Sequence, residues 1–205
     1  GVDPSLQPVR DPGGLARVRA KYGLGPAYLL YVGTLQPRKN LVRLIDAFAE
    51  VCRASDVVPG LQLILAGKKG WLYREILERG RELGLEAKIV FPGYVSETDL
   101  AVLYSGAHLF VMPSLYEGFC LPVLEAMACG TPVVCSAASS LPEVVGDAAL
   151  LFNPHDVREM TDAMLRLLRD EDLRRSLIAR GARRVAGFTW SRAARQVLGI
   201  LEHVL

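Results

Sequence analysis

Short apolar segments alternate with helical patterns along most of the chain, and this alternation limits the possible folds more than any other feature of the sequence. Apolar runs of this kind are typical of strands buried on both faces. The segments predicted as strands are residues 28–32, 61–66, 88–91, 108–112, 132–135 and 149–152. Because strands that alternate with helices form parallel sheets, we predict a doubly wound α/β domain with about six strands and helices on both faces.

Helical patterns fill the intervals between the predicted strands. Asn40 and Ser96 each precede a segment with helical spacing of apolar residues, so both are predicted as helix caps. Glu97 and Asp99 suit the positive end of the second of these helices. Further helices are predicted over residues 15–22, 71–83, 122–130 and from 154 to the end of the chain, with breaks near 170 and 187.

Charge and composition argue against several classes of protein. The net charge of +2, without a pronounced basic stripe, disfavours nucleic-acid binding. The four cysteines, Cys52, Cys120, Cys129 and Cys135, form no Cys-x-x-Cys pair and have no histidine at a metal-ligand spacing. We therefore expect free thiols in a reducing compartment and no metal site. We find no signal peptide and no apolar run long enough to cross a bilayer, so a cytoplasmic location is expected.

Two adjacent cations, Arg38 and Lys39, lie in the loop of residues 33–40, between the first predicted strand and the next helix. Helix N-termini favour anions, Arg offers a planar fork for phosphate oxygens, and Lys adds a compact charge. The loop is therefore suited to a diphosphate, and the alternative is a solvated Arg-Lys pair at the surface. Ligands of doubly wound sheets bind beyond the carboxyl ends of the strands, where this loop and residues 93–97 and 113–121 are expected.

Two glutamates eight positions apart, Glu117 and Glu125, flank the start of the helix after the fourth predicted strand. Glu125 stands among apolar residues, where a carboxylate needs a polar partner. The backbone N–H groups of residues 118–121 lie at a helix start and are therefore suited to a diphosphate. Carboxylates can accept hydrogen bonds from sugar and ribose hydroxyls. The segment therefore predicts a nucleotide-sugar site. The alternative is structural, with one glutamate capping the turn and the other paired with Lys or Arg.

These motifs, in this order, resemble those of family-4 retaining glycosyltransferases of the GT-B fold. The resemblance rests on Glu-Gly-Phe at 117–119 with Glu-Ala-Met-Ala-Cys-Gly-Thr-Pro-Val-Val at 125–134, on Tyr-Val-Gly at 31–33 with Pro-Arg-Lys-Asn-Leu at 37–41, on Gly-Tyr-Val at 93–95 and on Phe-Thr-Trp-Ser at 188–191. It covers essentially the whole chain from about Tyr28 onward.

Enzymes of this family have two Rossmann-like domains that face a cleft, and this chain is similar to the C-terminal, donor-binding one. The resemblance implies a linker and short helix at 1–26, a Rossmann-like nucleotide-sugar-binding domain at 27–187 and a C-terminal helix at 188–205. It also implies that the N-terminal acceptor domain is absent from this chain.

The resemblance assigns a role to individual residues. Arg38 and Lys39 would hold the diphosphate, Glu117 and the following amides the sugar, and Glu125 the ribose. Val95 and Glu97 would lie against the base. The complete donor-binding set is Gly33, Arg38, Lys39, Val95, Glu97, Glu117, Gly118, Phe119, Cys120, Leu121 and Glu125, with Glu117, Arg38 and Lys39 as catalytic candidates.

Two residues depart from the family pattern. Thr34 stands where many relatives carry Arg, which leaves the number of phosphate contacts open. Cys120 stands where many carry Gly, which bears on the sugar that fits. No metal is expected, since cationic side chains take its place.

The implied activity is transfer of a mannose-type or glucose-type sugar from GDP-mannose or a UDP-sugar to a glycan or lipid-linked acceptor held by the missing domain. The full-length protein would then be cytoplasmic, with peripheral contact to the membrane face. Two alternatives stay open at this point. One is a non-catalytic nucleotide-sugar-binding or interaction module, and the other is a different GT-B-like enzyme such as an epimerase.

Overall fold

The computed structural model describes residues 1–54 and 58–204, and in these residues six parallel strands form a sheet with helices on both faces. The strands are Tyr28–Val32 (β1), Gln62–Ala66 (β2), Ile89–Gly93 (β3), Leu109–Met112 (β4), Val133–Ser136 (β5) and Ala149–Phe152 (β6). Their spatial order is β3-β2-β1-β4-β5-β6. The predicted doubly wound, Rossmann-like α/β architecture is confirmed.

Helices connect the strands across the described part of the chain. They are Pro12–Tyr22 (α1), Leu41–Arg53 (α2), Tyr73–Glu82 (α3), Glu97–Ser105 (α4), Leu121–Ala128 (α5), Leu141–Val145 (α6), Val157–Arg169 (α7), Glu171–Val185 (α8) and Trp190–Val204 (α9). A short 3-10 helix, Pro37–Lys39, precedes α2. Since helices cover both faces, every residue of β4 and β5 is buried, which explains why these strands are apolar throughout rather than alternating.

All six predicted strands are confirmed: β1 and β6 have the predicted bounds, and the ends of the other four differ by at most two residues. Helix α6 and the 3-10 helix were not predicted, because five and three residues are too few to show helical periodicity. The last residue of the predicted C-terminal helix, Leu205, lies outside the described residues.

Asn40 and Ser96 are the N-cap residues of α2 and α4, as predicted, but neither side chain accepts a hydrogen bond from the helix backbone. Asn40 has a left-handed φ of 57°, and its Nδ2 donates to the carbonyl groups of Pro113 at 3.0 Å and Pro154 at 2.7 Å. The Ser96 hydroxyl donates to the carboxylate of Asp99 at 2.9 Å. The Asn40 side chain thus bonds to distant segments, whereas the Ser96 hydroxyl bonds to a carboxylate in the first turn of its own helix.

The segment that precedes α1 is hydrogen-bonded to the body of the domain. Its Val2 N–H donates to the Phe188 carbonyl at 3.1 Å, and its Val9 N–H donates to the Ser105 hydroxyl at 2.9 Å. Leu6 is buried in the core. The segment is thus part of the folded domain in this structure.

Helix α9 presents an apolar face to solvent. More than half of the surface is exposed for five of its side chains, Trp190, Val197, Leu198, Ile200 and Leu201. No helix within residues 1–54 and 58–204 combines the length and the hydropathy needed to cross a bilayer.

Candidate functional site

The loops after β1 and β4 meet where the strand order reverses. β1 and β4 are parallel neighbours, with Leu29 opposite Leu109, so their following loops leave the sheet side by side. The Leu115 N–H donates to the Arg38 carbonyl at 2.9 Å and joins the two loops. Ligands of doubly wound sheets bind at such a switch point, so the two predicted motifs converge at the expected edge.

Arg38, Lys39 and Glu117 form an ionic cluster at this junction. Lys39 Nζ lies 2.5 Å from Glu117 Oε1, and Arg38 Nη1 lies 3.2 Å from Glu117 Oε2. Arg38 Nη1 also donates to the Tyr116 carbonyl. The Glu117 side chain is only 8% exposed and that of Arg38 is 42% exposed, so the cluster is open to solvent on the Arg38 side.

The cluster keeps Glu117 ionised. Burial raises the pKa of this carboxyl, but hydrogen bonds from Lys39 and Ser114 and the charges of Lys39 and Arg38 outweigh burial and leave the pKa below its usual value. The Ser114 hydroxyl donates to Glu117 Oε1 at 2.6 Å. The two cations therefore share a single ionised carboxylate as their partner.

Two serines between β5 and α6 fix the backbone at Glu117. The Glu117 N–H donates to the Ser139 hydroxyl at 2.8 Å, and the hydroxyl groups of Ser139 and Ser140 contact the Glu117 carbonyl at 3.0 and 2.9 Å. Sequence reasoning missed both serines and Ser114, because serines are common in loops and these contacts join distant segments.

The turn between Glu117 and α5 presents free backbone donors. The N–H groups of Gly118 and Phe119 form no hydrogen bond with any residue that the structure describes, and both residues are exposed. Cys120 directly precedes α5 in a left-handed conformation, with φ 79°, and its thiol is buried. Burial, with the charge of Glu117, raises the pKa of this thiol to about 12, so it stays neutral. A helix start with unsatisfied N–H groups is suited to an anion.

Glu125, on α5, has a tyrosine for its polar partner rather than Lys or Arg. The Tyr104 hydroxyl donates to Glu125 Oε2 at 2.8 Å. Burial raises the pKa of the Glu125 carboxyl, the Tyr104 hydrogen bond opposes that rise, and the charge of Asp3 adds to it. Tyr104 is fully buried and was not identified from the sequence, since nothing in the pattern links α4 to α5.

A cavity of about 440 Å³ lies beside the cluster. Four of the predicted donor-binding residues line it, Gly33, Val95, Glu97 and Glu125. Others that line it are Asp3, Ser5, Leu6, Thr34, Lys68 and Tyr94. Lys69 and Trp71, which follow β2 together with Lys68, do not contribute to its wall.

Glycine is required where the loops after β1 and β2 cross. A Cβ on Gly67 would lie 2.0 Å from the Gly33 carbonyl oxygen, and a Cβ on Gly33 would lie 2.6 Å from the Tyr31 hydroxyl. Their φ values are 145° and 154°. This close approach brings Thr34 and the residue after Gly67 to the same cavity wall.

The predicted site residues thus fall into two adjoining groups. One group lines the cavity and consists of Gly33, Val95, Glu97 and Glu125. The other consists of Arg38, Lys39 and Glu117, which form the ionic cluster, and of residues 118–121 at the start of α5. Tyr31 lies between the groups: its hydroxyl donates to the Thr34 carbonyl at 3.2 Å, and burial and the Glu117 charge raise its pKa. Within the described chain, no group of three or more His, Cys, Asp or Glu residues is arranged to hold a metal ion.

Comparisons with known proteins agree on one family. The model of the family described as glycosyl transferases group 1 matches residues 17–184. O-antigen chain mannosyltransferase B of Escherichia coli is 42% identical over 193 aligned residues, which cover 92% of this chain and 49% of that protein. The chain therefore spans about half the length of this relative, and the match lies in the C-terminal half.

Solved structures show the same relationship. Sucrose-phosphate synthase from Thermosynechococcus elongatus superposes with a TM-score of 0.81 at 33% identity, covering 97% of this chain and 49% of that one. Anabaena HepE in complex with UDP and glucose superposes with a TM-score of 0.83 at 25% identity, covering 99% of this chain and 55% of that one.

Proposed function

Because the chain belongs to the group 1 glycosyl transferases, we propose that it is the donor-binding domain of a retaining glycosyltransferase and binds a nucleoside-diphosphate sugar without a metal ion. The observation that carries this proposal is the convergence of two cations, a buried glutamate and the free start of α5 at the switch point, beside a cavity of about 440 Å³. A diphosphate needs donors and positive charge, and hydroxyl-rich groups need acceptors, and this edge of the sheet supplies both.

Each part of the donor has a matching part of the site. Arg38, Lys39 and the N–H groups at the start of α5 would bind the diphosphate. Glu125 would accept from the ribose hydroxyls, with Val95 and Glu97 against the base. Glu117 would accept from the sugar once the diphosphate has drawn the two cations away from it.

Catalysis by this site would be electrostatic. As the bond between the sugar and the phosphate breaks, negative charge builds on the diphosphate that leaves and positive charge on the sugar. Arg38, Lys39 and the α5 N-terminus would stabilise the leaving group where that charge develops. Glu117 acts as a hydroxyl ligand in this scheme, and no covalent nucleophile is assigned.

The whole protein would be a hexosyltransferase of the mannose or glucose type. The relative with 42% identity is named a mannosyltransferase, which favours mannose and therefore GDP-mannose as the donor. We assign residues 27–187 to the nucleotide-sugar-binding domain, 1–26 to a linker segment with a short helix, which packs against that domain, and 188–205 to a C-terminal helix. A glycan or lipid-linked acceptor would be held by the other half of the protein, in the cytoplasm and at the membrane face.

The test is calorimetric titration of this chain with UDP-, GDP- and ADP-sugars, each in the presence of EDTA. We expect one nucleotide to bind in the chelator with unchanged affinity. Binding that disappears in EDTA and returns with magnesium or manganese would contradict the metal-free site, and no binding of any nucleotide would contradict the proposed function itself.

A further inference from the structure

We propose that Lys68, outside both loop motifs, is a third phosphate-binding cation of the donor site. The inference rests on the proposed function, because it takes the cavity to be the place where the nucleoside diphosphate lies. It adds to that function a residue which neither the motifs nor the ionic cluster identifies.

The backbone fixes Lys68 next to the first loop. Lys68 follows Gly67 at the end of β2, and its carbonyl accepts from the Leu35 N–H at 2.9 Å. Gly67 lies so close to the Gly33 carbonyl that it admits no side chain. Lys68 and Thr34 are therefore neighbours across two loops, and both line the cavity.

The charge around the cavity makes Lys68 distinct. Of the residues that line it, Lys68 is the one cation, against three carboxylates, Asp3, Glu97 and Glu125. Arg38 and Lys39 lie beyond the wall and are paired with Glu117. Without Lys68, a dianionic or trianionic diphosphate in this cavity would be repelled by the carboxylates of the lining, with no lining cation to offset them.

The ammonium group of Lys68 is available to a ligand. Within residues 1–54 and 58–204 it forms no ion pair, and its Nζ lies 5.6 Å from the ring centroid of Tyr94, which also lines the cavity. A cation–aromatic contact at an exposed position is weak, on the order of 0.5–1 kcal/mol, so an anion can readily displace it. Since Lys68 is exposed, its flexible side chain can turn from Tyr94 towards a phosphate oxygen.

The chain contains a matched control in the next residue. Lys69 is also exposed and also lies over an aromatic ring, with Nζ 5.2 Å from the Tyr73 centroid, but it does not line the cavity. Lys69→Met therefore removes the same charge from the same loop without touching the proposed site.

The experiment compares Lys68→Met, Lys68→Arg and Lys69→Met with the unaltered chain by calorimetry. The ligands are the nucleoside diphosphate that the unaltered chain binds and its nucleoside without phosphate. We expect Lys68→Met to weaken the diphosphate about tenfold, as for loss of one charged hydrogen bond, and to leave the nucleoside unchanged. Lys68→Arg and Lys69→Met should bind both ligands as the unaltered chain does.

Each result separates the inference from the proposed function. If the unaltered chain binds a diphosphate and Lys68→Met binds it equally well, Lys68 is only part of an exposed turn and the inference is wrong while the function stands. Equal weakening of diphosphate and nucleoside, or equal effects of Lys68→Met and Lys69→Met, would also overturn it. If the unaltered chain binds no nucleotide, both proposals are wrong.

Discussion

Glu117 is the ion-pair partner of the two cations that a diphosphate is proposed to use. Its carboxylate contacts Lys39 Nζ at 2.5 Å and Arg38 Nη1 at 3.2 Å and accepts from Ser114 at 2.6 Å. A diphosphate brings more negative charge than a single carboxylate, so we expect its binding to exchange one partner of the cations for another and to free the Glu117 carboxylate for the sugar.

This exchange makes the Glu117→Gln variant informative. Without the carboxylate charge, Arg38 and Lys39 have no anionic competitor, so we expect a bare nucleoside diphosphate to bind with equal affinity or up to about tenfold more tightly. The nucleotide-sugar should lose the part of its affinity that the sugar adds. Glu50→Gln, on the exposed face of α2, is the control for charge alone. A loss of diphosphate affinity in Glu117→Gln, beyond any seen in that control, would contradict the exchange.

Glu125→Gln should behave differently, because its proposed ligand, the ribose, is shared by both nucleotides. We expect the nucleoside diphosphate and the nucleotide-sugar to weaken equally, by about tenfold. The raised pKa of Glu125 also means that it takes up a proton at a higher pH than an ordinary carboxyl, so affinity for both ligands should begin to fall in mildly acid solution. If Glu117→Gln and Glu125→Gln change the two affinities in the same ratio, the division of roles is wrong.

The sequence predicts the charged residues of this site but not the groups that orient them. Glu117 and Glu125 are recognisable because one stands beside a glycine turn and the other inside an apolar helix segment. A carboxylate in an apolar segment is costly unless it has a polar partner. Tyr104 and Ser139 have no such signal, since a buried tyrosine and a loop serine are ordinary on their own. Their importance comes from contacts across 21 and 22 residues of sequence, which only the fold reveals.

At the scale of elements, a buried carboxylate joins α1 to α4. Asp99, 1% exposed, lies 2.7 Å from Arg17 Nη2 and 2.6 Å from Lys21 Nζ, and it accepts from the Tyr22 hydroxyl at 2.9 Å. Since all three partners belong to α1, this network attaches the helix that precedes β1 to the body of the domain. The sequence had suggested only a favourable charge at the positive end of α4.

Removing this charge should destabilise the domain in a pH-dependent manner. The hydrogen bond from Lys21, against the effect of burial and with help from Arg17, Tyr22 and Ser96, holds the pKa of Asp99 well below its usual value. A carboxyl with a depressed folded-state pKa contributes stability that is present above its unfolded pKa, about 3.9, and is lost as the pH falls further. We expect Asp99→Asn to lower the free energy of unfolding by about 2 kcal/mol at neutral pH.

Urea unfolding of the two proteins from pH 7 down to pH 3 measures this effect. The difference between the unaltered chain and Asp99→Asn should shrink below roughly pH 4. Asp147→Asn, which removes a carboxylate that is 80% exposed, is the control and should change stability little. A difference that stays constant over the whole range would mean that the Asp99 charge is not its source.

The strands and helices were predictable from the sequence where they are long enough and buried enough to show an apolar pattern. β1 to β6 carry apolar runs that only a sheet covered on both faces can accommodate, so their number and parallel arrangement follow from the sequence. The five-residue α6 does not, because it is too short to show helical periodicity. The orientation of Asn40 does not either, because it depends on acceptors such as the Pro113 carbonyl that other segments bring near.

At the scale of the whole molecule, α9 carries an apolar face that this chain leaves uncovered. Val197, Leu198, Ile200 and Leu201 are each more than half exposed. The helix follows α8 at the end of the domain, and the chain matches only the C-terminal half of its relatives. We therefore expect the other half of the protein to cover this face and to complete the site.

The last prediction follows: this chain binds the donor but does not transfer its sugar at a useful rate. Transfer requires an acceptor held against the donor in reacting geometry, an effect that can supply roughly 7–11 kcal/mol of the barrier. The proposed site supplies charge stabilisation for the leaving diphosphate, whereas the acceptor is proposed to bind to the other half of the protein. Donor affinity in this chain should match that of the full-length protein within about threefold, while transfer is lost. Both proteins should be titrated with the donor, then assayed for transfer and for slow donor hydrolysis. Robust transfer by this chain alone would show that the acceptor binds to the domain described here.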